Sequence, residues 1–112
     1  MNPPDFVAKL VFRATEEGGR KGPLKSGCHP AVKFDFSDMQ TSTAQFFRGK
    51  DWVQPGETVI ADMYMVGKDY FAGTLTVGTH FEVREGSIVT AVGEILEICN
   101  ADLAAGDVSG AK

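Results

Sequence analysis

Cys28 and His29 are adjacent residues whose side chains could act together as a nucleophile and its base. A thiol beside an imidazole is a combination that activates cysteine in several classes of enzyme. Side chains that are neighbours in sequence usually point in different directions, and no third group that would orient the imidazole is evident. We therefore interpret Cys28 as a loop thiol and His29 as a surface side chain, and we predict that the chain is not an enzyme.

The connection from Thr15 to Pro30 is dense in Gly and Pro and carries Arg20, Lys21 and Lys25. Cations gathered in one loop are what phosphate contacts need, and a few of them give weak, salt-sensitive binding to RNA. The alternative is that they are solvated charges on an acidic protein, whose net charge is −4. Most Phe residues fall at alternating positions typical of a core, so no aromatic platform for stacking bases is apparent.

Charge is divided unevenly along the chain. Residues 1–50 carry eight Lys and Arg against five Asp and Glu, or +3, whereas residues 51–112 carry three against ten, or −7. This asymmetry permits a basic patch on an acidic body, and scatter over a solvated surface is the alternative.

The length and composition are those of one soluble domain with its own core. Cys28 and Cys99 lack the spacing and the histidine partners of a metal site, so we predict free thiols and neither metal nor cofactor. The segment Met1–Asp5 has neither the basic start nor the apolar stretch of a signal peptide, and no run approaches the roughly 18 apolar residues of a membrane helix. We expect a cytoplasmic protein without a membrane segment.

Alternation of apolar and polar residues predicts several strands. The longest are 6–14, 31–36 and 58–66, and the stretch 81–98 is typical of a hairpin whose turn lies at 84–87. Pro55 and Gly56 occupy the central positions of a predicted type II turn, and 37–43 either continues a strand or turns.

Strand-sized runs without a helical pattern favour a small antiparallel barrel or sandwich of about six strands. We place the domain at residues 5–99. Residues 100–112 are small, polar and Gly-rich, and we predict that they form a flexible tail.

Several motifs share their order and spacing with one family. They are Glu16-Glu17-Gly18-Gly19-Arg20 after the first strand, Gly27-x-x-Pro30, Phe34-x-x-x-Asp38, Pro55-Gly56 and Phe81-x-x-Arg84-Glu85-Gly86. In this respect the chain resembles the carboxy-terminal domain (domain III) of translation elongation factor Tu, over roughly residues 6–98. The resemblance implies an all-β fold, a six-stranded antiparallel Greek-key barrel.

The family's barrel docks on a GTPase domain, receives the T arm of aminoacyl-tRNA and contacts the nucleotide-exchange factor. The resemblance places Arg20 and Lys21 at a basic pair that faces the tRNA backbone, and Glu85 and Gly86 at the hairpin tip near the T stem. This chain has no Gly-x-x-x-x-Gly-Lys-Ser/Thr phosphate loop, so we expect no GTP binding.

A protein interface is implied as well. Gly18 and Gly19 match the glycine pair beside the family's GTPase interface, and four further residues are candidates for an apolar contact patch, with core packing as the alternative for each. These four are Trp52, Val53, Tyr70 and Phe71.

Two departures from the family pattern favour protein over RNA as the partner. The family usually has Arg where this chain has His29, and a second Arg where this chain has Ile88. Neither side chain replaces the bidentate phosphate contacts of a guanidinium. We therefore expect a binding module for a protein partner, with the translation apparatus as its candidate source. The alternative is weak binding of tRNA or structured RNA through the 16–25 loop and the 84–87 hairpin tip.

Overall fold

The structure is a computed structural model that describes residues 2–105. It contains eight strands. They are β1 (Phe6–Phe12), β2 (Leu24–Lys25), β3 (Ala31–Phe34), β4 (Gln40–Phe47), β5 (Trp52–Val53), β6 (Thr58–Met65), β7 (His80–Glu85) and β8 (Ile88–Ile98). Three short 3-10 helices span Thr15–Glu17, Lys68–Phe71 and Ala101–Leu103. Within the described residues, no helix is long and apolar enough to cross a membrane.

Six of the strands close into a barrel in the order β1-β6-β4-β3-β7-β8, and β8 pairs back onto β1. Every neighbouring pair in the wall is antiparallel. β2 and β5 form a separate two-stranded sheet. The predicted six-stranded antiparallel barrel is therefore confirmed, whereas its Greek-key connectivity and the elongation factor Tu resemblance stay predictions.

The alternation that predicts the strands also selects the core. The inward residues of β1 are Phe6, Ala8, Leu10 and Phe12, and those of β6 are Val59, Ala61, Met63 and Met65; all are buried. Burying side chains of this kind contributes about 1.5–3 kcal/mol each for the larger ones.

Aromatic rings fill one part of the barrel. The rings of Phe6, Phe34 and Phe81 lie with centroids 5.7–6.2 Å apart, in tilted or edge-to-face geometry. Gly93 on β8 lies against this group, because a Cβ placed there would be 2.2 Å from the Phe81 ring. A glycine at 93 therefore makes room for the phenylalanine across the strand pair.

The barrel has two distinct ends. One end, which we call the hairpin end, carries the connections 13–30, 48–57 and 86–87. The other, the aromatic end, carries the connections 35–39 and 66–79, together with residues 2–5 and 99–105. This division follows from the strand register, which pairs Val11 with Thr58 and Ala31 with Arg84 towards the hairpin end.

The two turn predictions near the hairpin end hold. The Glu57 amide donates to the Gln54 carbonyl at 3.1 Å, and Gly56 has a φ of +90°, as a type II turn requires. The turn of the β7–β8 hairpin falls at Gly86, whose φ is +64°.

Residues beyond the predicted domain boundary pack on the aromatic end. Leu103 is buried in the core, and its carbonyl accepts a 2.8 Å hydrogen bond from the Leu75 amide. The Ala105 amide donates to the Leu75 carbonyl, also at 2.8 Å. The packed unit therefore extends to residue 105 and not only to 99, because a single leucine with a short backbone pairing suffices to dock this segment. Residues 106–112 of the predicted tail lie outside the described residues.

Asp5 ties together the segment before β1 and the segment after β8. Its carboxylate is buried and accepts hydrogen bonds from the Met65 amide at 2.7 Å and from Asn100 Nδ2 at 3.0 Å. The Lys68 ammonium lies 3.3 Å from the same carboxylate. The Asp5 carbonyl accepts from the amides of Cys99 and Asn100. The first and last strands of the wall are thus fixed at the same point.

Candidate functional site

The long β1–β2 connection and the β7–β8 hairpin meet at the hairpin end. Arg20 makes the junction: its guanidinium donates to Glu85 Oε1, to the Gly22 carbonyl at 3.2 Å and to the Pro23 carbonyl at 3.2 Å. The side chains of Arg20 and Glu85 are about one quarter and one third exposed. The structure thus brings together the loop and the hairpin tip that the family resemblance associates with tRNA.

Backbone constraints give the loop its shape. The Gly18 amide closes the 3-10 turn onto the Thr15 carbonyl, and Gly18 itself has a φ of +95°, in the left-handed region. At Gly19 a Cβ would lie 2.3 Å from the Arg13 carbonyl oxygen, so only glycine fits. The pair predicted as an interface element is therefore required by the fold of the loop itself.

Arg13 fastens the start of this loop to the barrel. Its guanidinium donates to the Val89 carbonyl at 3.1 Å and to the Glu17 carbonyl. These two contacts join the 3-10 turn to β8 and so anchor the start of the loop beside the hairpin.

A cleft of about 340 Å³ lies between the loop and the hairpin. Its lining residues are Gly19, Arg20, Lys21, Gly22, Glu85, Ile88 and Thr90. Ile88 is 54% exposed, and Lys21 is exposed without a carboxylate at salt-bridge distance among the described residues. The cleft therefore combines one apolar contact, one free cation and one ion pair that is already formed.

The Arg20–Glu85 pair changes what the predicted basic pair can do. A guanidinium that donates to a carboxylate and two carbonyls has few donors left for a phosphate. Lys21 is thus the available cation of the pair, and the loop offers less positive charge than its sequence suggests.

Cys28 lies beside the same ion pair, between the small sheet and the hairpin. Burial raises the pKa of its thiol to about 11; the negative charge of Glu85 adds to the increase, and a backbone hydrogen bond and Arg20 oppose it. The thiol is therefore protonated near neutral pH, which makes it a poor nucleophile. His29 is exposed at the surface. Cys28 and Cys99 are both free thiols.

The four residues predicted as an apolar contact patch do not form one surface. Val53 and Phe71 are buried in the core, so neither is available to a partner. Trp52 is 50% exposed at the hairpin end, whereas Tyr70 is 74% exposed at the aromatic end. Trp52 precedes and Tyr70 follows β6, whose eight residues span about 26 Å. The prediction of a single patch is therefore wrong, because β6 separates its two exposed members.

Trp52 is a second large apolar side chain that is exposed at the hairpin end. It pairs with Lys25 across the β2–β5 sheet, and the Lys25 ammonium lies 5.8 Å from the centroid of its ring. Only two residues of the chain separate Gly22, which lines the cleft, from Lys25. The indole and the cleft thus belong to the same end of the barrel.

Sequence reasoning missed two features of this site. In the sequence, Ile88 stands out only as a position where the family has arginine, although its side chain is 54% exposed in the cleft. The partnership of Arg20 with Glu85 was also missed, because nothing in a sequence shows which carboxylate a cation will meet 65 residues away.

No family model matches this chain.

Proposed function

We propose that this chain is a non-enzymatic binding module of the elongation factor Tu domain III type that binds a protein partner through its hairpin end, with the translation apparatus as the candidate source. The observation that carries this proposal is the internal pairing of Arg20 with Glu85 and two carbonyls. The surface that remains also exposes two large apolar side chains, Ile88 and Trp52.

Two features of the hairpin end favour binding of a protein partner. Large aromatic side chains that are half exposed are frequent anchors of protein interfaces. A loop held by Gly19, Arg13 and Arg20 needs little further ordering when a partner docks, so less conformational entropy is lost on association.

The resemblance supplies the partner class. In elongation factor Tu the corresponding barrel docks on the GTPase domain, and the matching glycine pair, Gly18 and Gly19, lies in the loop described above. We therefore take a GTPase domain of that family as the first protein to test.

RNA is the second candidate, and one observation favours it. Arg20, Lys21, Glu85 and Gly86, which the resemblance assigns to the tRNA contact, lie together at the hairpin end. Lys21 and Lys25 are exposed there and have no salt-bridge partner among the described residues. Two free cations support only weak binding that decreases steeply with salt.

One pair of titrations separates the candidates. A fluorescently labelled GTPase domain of elongation factor Tu, and separately labelled aminoacyl-tRNA, are titrated with this protein at low and near-physiological salt, with anisotropy as the readout. We expect saturable, salt-tolerant binding of the GTPase domain. The Trp52→Ser/Ile88→Ser variant should weaken that binding about tenfold or more, the scale of an interface anchor.

Lys21→Ala/Lys25→Ala removes the two exposed cations and serves the tRNA titration only, because Lys25 lies over the Trp52 ring. The control for GTPase-domain binding is Val77→Ser, which alters an exposed residue of the aromatic end and should leave that binding unchanged. Arg20 is kept in every variant because its loss would disrupt the loop. Absence of GTPase-domain binding, together with tRNA binding that is lost in the double lysine variant, would replace the protein proposal by the RNA one. Failure of both probes to bind would refute both.

A further inference from the structure

A second exposed apolar surface lies at the aromatic end, opposite the proposed docking site. Four large apolar side chains contribute, each between 46% and 74% exposed. They are Phe36, Met39, Val66 and Tyr70. We call this group the aromatic patch.

The two connections that carry the aromatic patch are in contact with each other. Phe36 stacks on the buried Phe34 with ring centroids 5.5 Å apart and planes 9° from parallel. It also meets the edge of Phe71, the neighbour of Tyr70, at 6.5 Å. The core aromatic residues therefore continue outwards into an exposed ring.

Hydrogen bonds fix Val66 beside the start of β4. Its amide donates to the Ser42 carbonyl at 2.9 Å, and its carbonyl accepts from Thr41 Oγ1. Because β4 follows directly on the turn that holds Met39, the two connections 35–39 and 66–71 lie side by side.

The rim of the aromatic patch is acidic. Asp35, Asp38 and Asp69 are exposed, and none has a salt-bridge partner among residues 2–105. Lys68 is the single cation of these two connections, and its ammonium is directed to the buried Asp5. The two connections therefore present apolar side chains together with three exposed carboxylates, of which Asp35 shares a pocket with Lys33.

We infer that the aromatic patch docks a basic, apolar segment of a partner protein, in which Lys or Arg flanks Leu or Phe side chains. The apolar residues of such a segment cover Phe36 and Tyr70, and its cations meet the three aspartates. Charge complementarity of this kind directs specificity and association rate. A nucleic acid would be repelled by the same aspartates.

A second copy of this chain fits the patch less well. A symmetric dimer places the same surface of both copies face to face. The aspartates of one copy would then oppose those of the other without a counter-charge. The inferred occupant is therefore a different, basic chain.

The inference is independent of the proposed function, because the two surfaces lie at opposite ends of the barrel. A module with both surfaces would hold two proteins at once, one at each end. Loss of binding at the hairpin end would leave the aromatic patch intact, so the two proposals fail separately.

The test uses three synthetic helical peptides as probes. The first has Leu on one face and Lys on the other; the second replaces Lys by Glu; the third replaces Leu by Ser. Each is titrated into the ¹⁵N-labelled full chain, and amide shifts are followed by NMR. We expect the Leu/Lys peptide to shift residues 35–39 and 66–71 and to bind about tenfold or more tightly than either control peptide.

Variants locate the binding. Met39→Ser/Tyr70→Ser should weaken binding of the Leu/Lys peptide about tenfold, and Asp38→Asn/Asp69→Asn should weaken it and reduce its salt dependence. All four side chains are exposed, so these variants should fold, which far-UV circular dichroism verifies. Ile88→Ser at the hairpin end is the matched control and should bind as the wild type does.

Three results would overturn the inference. Amide shifts confined to other parts of the barrel would show that the patch is not the site. If the peptide with Ser in place of Leu bound as tightly as the Leu/Lys peptide, the interaction would depend on charge alone. Self-association of the peptide-free chain in sedimentation, abolished by Met39→Ser/Tyr70→Ser, would assign the patch to a second copy.

Discussion

Removing the buried carboxylate of Asp5 should destabilise the barrel more than any change to its partners. In Asp5→Ala the Met65 amide, buried in the wall, has no acceptor, which costs about 1–3 kcal/mol. The lost pair with Lys68, whose side chain is half exposed, adds only about 0–1 kcal/mol. Asn100 is partly exposed and can bond to water instead.

The sum is a loss of about 1–4 kcal/mol in the free energy of unfolding. For a domain of this size each kcal/mol lowers the melting temperature by about 4–8 °C. Two related variants should lose less free energy of unfolding than Asp5→Ala does. Asp5→Asn keeps an acceptor for Met65 but turns a donor towards Asn100 or Lys68, and Lys68→Ala removes only the half-exposed ammonium.

Urea unfolding followed by two probes measures this ranking. Far-UV circular dichroism reports on the whole barrel, and the fluorescence of Trp52, the one tryptophan of the chain, reports on the hairpin end. Coincident curves would justify a two-state treatment. The reasoning is refuted if Asp5→Ala lies within about 0.5 kcal/mol of the wild type, or if Lys68→Ala costs as much as Asp5→Ala.

Two further predictions concern the core and the free thiols. Gly93→Ala should destabilise the protein by about 1–3 kcal/mol, because its methyl group would overlap the Phe81 ring; urea unfolding measures this, and an unchanged midpoint would contradict the packing. Burial raises the pKa of Cys28 from 9.0 to about 11. This thiol should therefore react with iodoacetamide at pH 8 about tenfold or more slowly than an unstructured peptide thiol, after allowance for the greater nucleophilicity of a more basic thiolate. Mass spectrometry of the Cys99→Ser variant isolates its rate, and a rate equal to the peptide's would contradict the burial of the thiol. Because the folded state favours the protonated thiol, this contribution to stability should be complete below pH 9 and lost as pH rises towards 11.

Much of the wall could be predicted from the sequence because alternation has a direct physical cause. Residues two apart on a strand face the same side, so the pattern of Phe6, Ala8, Leu10 and Phe12 identifies both the strand and its buried face. The turn at Gly56 could also be predicted, since a type II turn requires positive φ at that position.

Strand ends were harder to predict, and Phe36 shows why. It continues the alternation of Val32 and Phe34, yet β3 ends at Phe34 and Phe36 lies exposed. Alternation records which face a residue would occupy if pairing continued, but it does not record where the neighbouring strand stops. The residues Asp35 to Asp38 include Asp and Ser, which favour a turn, but the apolar alternation predicted that the strand continues to Phe36.

The candidate site could be predicted in part. The sequence identified the 16–25 loop and the hairpin tip, and the structure places them together. The sequence did not show that Arg20 is already paired with Glu85, because that contact depends on the closure of the whole barrel. The sequence also did not show that Trp52 and Tyr70 lie at opposite ends of the barrel. That separation follows from the path of β6, which is known only from the structure.

The junction at Asp5 has a consequence for how this fold can be combined with others. The amides of Cys99 and Asn100 donate to the Asp5 carbonyl at 2.9 and 3.0 Å, so the chain enters and leaves the barrel at almost the same place. Because residues 101–105 continue from this point and pack against Leu75, a host protein, or a linker that joins the two ends, would have to be attached beyond residue 105. New ends could be opened at the 86–87 turn. The seam between β1 and β8 would then become an internal part of a circularly permuted chain.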